Sequence, residues 1–177
     1  MKKASGFALS GVRMAVCAGA VSAAVFALAA LLPDAVFDVV FCRAPAHLAG
    51  AYFGVSADGA AFTLADGRVI AVTRACGGAG FFAMLCGLLA CRAGNWRAWP
   101  AAVAAVWGYA VCVNGVRIVG TVWVRAFAEA ALPERFWGVA HLTTGVMVFF
   151  PALAAAWWFM TKGLQKETRY ERGDQNG

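Results

Sequence analysis

An all-α membrane protein of about four transmembrane helices, with a small extracytoplasmic β-meander between helices 1 and 2, is the fold class that three observations predict. The 177 residues are 62% hydrophobic and 14% charged, with a mean hydropathy of +0.70; a soluble domain carries roughly 45–50% apolar and about 25% charged residues. The apolar excess is gathered into four blocks, each near the ~20 residues that cross a bilayer. The stretch between the first two blocks is more polar and carries turn signals. A net charge of +6 raises the question of a nucleic-acid partner, but the basic residues form no stripe or aromatic-interleaved patch, so none is expected. They stand instead at block ends, as cytoplasmic flanks do.

The first block runs over about 14–32. Lys2 and Lys3 precede it and a small-x-small site lies at Ala27 and Ala29, so a cleaved export signal is the competing reading. Its 19 residues exceed the ~7–15-residue core of such signals, which favours a retained helix. In the outer segment 33–74, Asp58-Gly59 and Asp66-Gly67 flank Phe62-Thr63-Leu64, and the β-branched Val69, Ile70 and Val72 follow. That pattern predicts two or three antiparallel strands leading into the second helix, about 75–91. The third helix spans about 99–124 and the fourth about 138–160, bracketed by Trp99 and Trp123 and by Trp137 and Trp157. The second of these pairs is 20 residues apart, ~30 Å of helix, which matches two interfacial belts. Trp107 falls near mid-membrane and reads as packing. The polar residues 161–177 read as a disordered cytoplasmic tail.

Nine basic residues (Lys2, Lys3, Arg13, Arg92, Arg97, Lys162, Lys166, Arg169 and Arg172) fall on one side of this layout. Five arginines on the other side are diluted by six acids. The positive-inside rule then places both termini in the cytoplasm, 33–74 outside, and the protein in the inner (cytoplasmic) membrane.

Polar side chains within the blocks are the candidates for chemistry, because a central Arg costs roughly 2.5–3.5 kcal/mol on insertion scales. Arg117 lies about six residues below Trp123, and Asn114 shares its helical face. A lined cavity explains two costly groups on one face better than snorkelling of a lone Arg does. His141 lies just inside the outer interface, with Thr144 and Gly145 on its face. Cys76 opens the second helix at the same level. Free helical N–H groups there favour a thiolate, Gly77 and Gly78 leave room for a substrate backbone, and Arg74 adds charge. Cys17, Cys86, Cys91 and Cys112 read as small buried apolar groups, and Cys42 sits in the outer segment, free or paired. A thiolate, an imidazole and a guanidinium are the set that acyl transfer requires. The residue types alone leave equally open a meeting in space and a coincidence.

Three motifs carry a resemblance: Ala75-Cys76-Gly77-Gly78, Asn114-Gly115-Val116-Arg117-Ile118 and His141-Leu142-Thr143-Thr144-Gly145. In that order they resemble the signatures of the exosortase/archaeosortase family, most like its short, exosortase K-like members. The resemblance implies an intramembrane cysteine transpeptidase or protease. Its partners would be membrane-anchored proteins with a C-terminal sorting signal, consisting of a short motif, an apolar helix and a basic tail. On this chain it implies Cys76 as nucleophile, His141 for proton transfer and Arg117 as stabiliser of the oxyanion, with Arg74, Gly77, Gly78, Asn114 and Gly145 in support. Neither metal nor organic cofactor is implied. This chain departs from the family in being short and in carrying Gly77 where Ser or Ala often follows the Cys. Two other classes compete: a non-catalytic assembly or transport subunit using Arg117 and His141, and a membrane thiol oxidoreductase, disfavoured by the lack of any C-x-x-C pair.

Overall fold

The computed structural model describes the backbone of residues 3–91, 96–131, 133 and 137–174, and the side chains of 12–91, 97–131, 133, 138, 139 and 142–161. Helix α1 is Lys3–Leu31. Pro33 then turns the chain into α2, Asp34–Phe37, which runs through a π-helical stretch, Asp38–Arg43, into α3, Ala44–Tyr52. The widened turn falls just before Pro45, which lacks the N–H that an α-helix would direct at Phe41. Three short strands follow, β1 (Ala57–Asp58), β2 (Ala61–Thr63) and β3 (Val69–Ala71). They form one antiparallel sheet in the order β1-β2-β3. Gly59 and Gly67 turn it with φ of +60° and +83°, as the two Asp-Gly pairs predict.

A 3-10 turn, Arg74–Cys76, leads to α4, Ala79–Ala90. Another, Trp96–Ala98, precedes α5, Trp99–Ala131, and α6 is Trp137–Asp174. Among the described residues, three helical segments are long and apolar enough to cross a membrane: Val12–Leu31, Trp99–Ala131 and Leu142–Thr161. The protein is therefore a mostly helical, multi-pass membrane protein. The second apolar block does not reach this length. Gly77 and Gly78 break it, leaving a 12-residue α4, ~18 Å long. The fourfold count of full spans is thus not met by helix length.

Two further expectations shift. The segment 33–74 contains the predicted meander, but its first half is helical and packs along α5: the Trp107 indole donates to the Val40 carbonyl (3.0 Å), and Phe53 meets Trp123. The polar residues beyond Met160 continue α6 to Asp174; Leu164 to Glu167 are all good helix formers and no Pro interrupts them.

Helix α1 packs on α4 through small residues. A Cβ at Gly87 would overlap the Ser22 side chain and the Ala18 carbonyl, so only glycine admits so close a helix pair. The core has two parts. Phe37, Phe41, Ala46, Phe62, Ile118 and Val122 join the sheet to α2, α3 and α5. Phe81, Leu85, Val106 and Ala110 join α4, α5 and α6. The Cys76 turn lies where the two parts meet.

Candidate active site

The segment from β3 to α4 is wedged between two helical walls. Gly78 has φ +81°, a left-handed conformation that L side chains rarely adopt. A Cβ there would stand 3.0 Å from Cγ of Asn114 on α5. On the other side, a Cβ at Gly77 would meet the Phe37 ring at 3.0 Å, the Cys42 sulfur at 3.2 Å and Phe41 at 3.3 Å. This chain therefore has glycine after its cysteine because the α2–π wall presses on that position. Pinned in this way, the Cys76 carbonyl faces α5. Asn114 Nδ2 donates to it at 2.8 Å, and Arg117 Nη1 donates to it at 3.4 Å. Two carbonyl oxygens cannot share a hydrogen bond, so the contact itself assigns the amide orientation of Asn114. Its Oδ1, on a residue only 1% exposed, has no hydrogen-bond partner among the described residues.

Arg117 is buried (9% exposed). Its Nε lies 3.3 Å from where a Cβ on Gly145 would sit, and its guanidinium stands over the Phe149 ring, 5.2 Å from the centroid. The small residue that admits α6 here is the one expected from sequence. Thr121, one turn beyond Arg117, extends the polar stripe Asn114–Arg117–Thr121 along one face of α5. Its buried Oγ1 has no partner among the described residues.

Two clefts meet at Arg117. The larger, of about 710 Å³, lies between β3, α5 and the start of α6, and Cys76, Arg117, Thr121 and Gly138 line it. The smaller, of about 580 Å³, lies among α1, α4 and α6, with Phe26, Phe81, Met84 and Phe149 in its walls. The structure thus brings Cys76, Asn114 and Arg117 together, with Gly77 and Gly78 beneath and Gly145 behind. The side chain of His141 lies outside the described residues; its backbone position is on α6, one turn before Gly145.

Three assignments change in kind. Arg74 is a clasp for α1. Its guanidinium donates to the carbonyls of Ala29, Ala30 and Leu32 at 3.2, 2.8 and 2.7 Å, pairs with Asp34, and covers the Phe37 ring. It satisfies the orphan carbonyls at a helix C-terminus, where a cation is favoured. Cys76 does not open α4 but ends the 3-10 turn two residues before the Gly78 cap. Cys42, expected in a loop, is a buried free thiol in the π-helical stretch. Burial, then the Asp38 carboxylate and Cys76, push its pKa up to about 11, so it stays protonated at neutral pH. Thr121 and the Cys42–Gly77 contact were not legible in the sequence; the spacing of Thr121 seven residues from Asn114 was the available signal for the first. Among the described residues no group of three His, Cys, Asp or Glu gathers as a metal site requires.

No curated protein and no solved structure matches the chain. A family model described as transmembrane exosortase matches residues 40–158, well over half the sequence and inclusive of Cys76, Arg117 and His141. This multi-pass membrane protein belongs to the transmembrane exosortase family.

Proposed function

We propose that the protein is a cysteine transpeptidase or protease that cleaves C-terminal sorting signals of exported, membrane-anchored proteins, with Cys76 as its nucleophile. The observation that carries this reading is that the guanidinium of Arg117 and the thiol-bearing residue Cys76 line one cleft, with Arg117 Nη1 3.4 Å from the Cys76 carbonyl. A buried cation beside a nucleophile is placed to stabilise charge that develops on a tetrahedral oxyanion.

In this mechanism His141 takes the Cys76 proton and the sulfur attacks the scissile carbonyl carbon. The C–S bond forms as the carbonyl π electrons move onto oxygen, and Arg117 stabilises the resulting oxyanion by donating hydrogen bonds to it. Collapse breaks the C–N bond, His141 protonates the departing amine, and a thioester remains on Cys76. An amine acceptor or water then attacks the thioester carbonyl as His141 takes its proton; the C–S bond breaks, the acyl group leaves on the acceptor or as the free acid, and His141 returns the proton to the Cys76 sulfur. Asn114 and Gly78 hold the Cys76 backbone throughout. In this reading the short α4, with the turn before it, completes a fourth crossing, so that the sheet end of the bundle faces outside the cytoplasmic membrane and both termini lie inside, as the distribution of basic residues supports. Cys42, held as a thiol against Gly77, packs rather than reacts.

The test is co-expression with a tagged single-span reporter from the same genome that ends in a short motif, an apolar helix and a basic cluster. Reporter cleavage is expected to stop with Cys76→Ala, Arg117→Ala and His141→Ala and to survive Cys42→Ala. Normal cleavage by Cys76→Ala would overturn the assignment.

A further inference from the structure

Among the described strands, β3 lies at the edge of the sheet, with one side paired to β2 and the other open. The Leu64 amide donates to the Arg68 carbonyl, the Val72 amide donates to the Ala60 carbonyl, and Phe62 stands opposite Ile70. Residues that exchange bonds with a partner strand alternate in an antiparallel ladder. Arg68, Ile70 and Val72 therefore turn their main-chain groups toward β2, while Val69 and Ala71 turn theirs to the open edge. That edge belongs to the larger cleft, which is lined by every residue from Arg68 to Val72. Side chains of a strand alternate between faces, so an unbroken run of lining residues is what a strand presents edge-on. Beyond it, Thr73 carries the chain directly into the turn that ends at Cys76, which lines the same cleft.

We propose that β3 is the docking strand for the substrate: an extended polypeptide segment pairs with its open edge as a fourth strand and so brings one of its peptide bonds to Cys76. The edge defines the occupant. Val69 and Ala71 offer amide and carbonyl groups about 6.8 Å apart along the strand, a spacing that extended main chain matches. The charged side chains lining the cleft are Arg68, Arg117 and Arg125; Arg68 pairs with Asp66 and Glu129, and Arg125 with Glu129, so the edge selects the segment by its extended main chain and not by the charge of its side chains. An open strand edge in water is a liability that proteins usually cover or block; recessed in a cleft beside a nucleophile, this one has a use. The inference rests on the reading of Cys76 as the nucleophile.

Ala71→Pro tests it, because the amide it removes points to the open edge and takes no part in the β2 ladder. In membranes co-expressing the tagged reporter, Ala71→Pro is expected to slow cleavage about tenfold or more, while a small alkylating reagent still modifies Cys76 at the wild-type rate. Cleavage at the wild-type rate would overturn the docking strand. A second measurement does not depend on how that variant folds. Val69→Cys in a Cys76→Ala background is paired with reporters carrying one cysteine at successive positions before the apolar helix. Disulfide cross-links at every second reporter position are expected; cross-links at all positions, at a helical period or at none would overturn the pairing. If Cys76→Ala still cleaves the reporter, the reading of the nucleophile fails; if cleavage needs Cys76 but ignores Ala71→Pro, the docking strand alone fails.

Discussion

Helices α1 and α5 are both apolar enough to cross a membrane, yet 6% of the spanning window of α1 is buried within the protein against 44% of that of α5. On α1, Val16, Leu28 and Leu31 are mostly exposed, as suits a helix whose surroundings are lipid. On α5, one face buries Asn114, Arg117 and Ile118 against the Cys76 turn, α3 and α6. Hydropathy measures what a helix can tolerate around it and not what it touches. One helix is an anchor clasped by Arg74 at its end; the other is the spine on which the candidate site is built.

The two helices differ most at Arg117, a buried cation with no counterpart among the described residues of α1. Arg117→Ala is expected to lower reporter cleavage about 10²–10³-fold, the loss typical of one oxyanion donor, with the protein still inserted; a single-turnover cleavage assay reads it. Arg117→Ala cleaving at the wild-type rate would reduce the α5 stripe to packing. Next comes Gly78→Ala, which places a Cβ in a left-handed backbone conformation and against Asn114. The conformational strain alone is about 1–2 kcal/mol, so a lowered Tm in detergent is expected together with reduced cleavage. Gly77→Ala overpacks the other wall, where such insertions typically cost about 1–3 kcal/mol. Because Cys42 supplies one of the three nearest atoms, Cys42→Ala should return part of that Tm loss in the double variant; strict additivity of the two changes would show that the contact carries no coupling. At the small end, Leu28→Ala on the exposed face of α1 is expected to move Tm by no more than about 0.5 kcal/mol equivalent and to leave cleavage unchanged. A large effect there would mean that α1 is buried against a partner.

The site was legible in parts. Cys76, Asn114 and Arg117 stand out because polar groups in apolar blocks are costly, and their spacing puts the last two on one face. The roles of their neighbours were not legible. Arg74 looks like a charge beside Cys76 in the chain but reaches back more than forty residues to clasp α1. Thr121 looks like any membrane-helix threonine until its neighbours are known. Cys42 lies in an outer segment that reads as a loop, and nothing in its own stretch of sequence tells that its π-helical wall packs against the Cys76 turn.

Hydropathy, the positions of Gly and Pro, and the Asp-Gly turns are local properties, and they are enough to read the membrane class, the helical blocks, the meander and the candidate residues from the chain alone. Which walls close on Gly77 and Gly78, where the Cys76 carbonyl points, and which edge of β3 opens into the cleft depend on groups far apart in the chain. Those emerge only when the chain is folded, because a close approach has two sides and one stretch of sequence specifies only one of them.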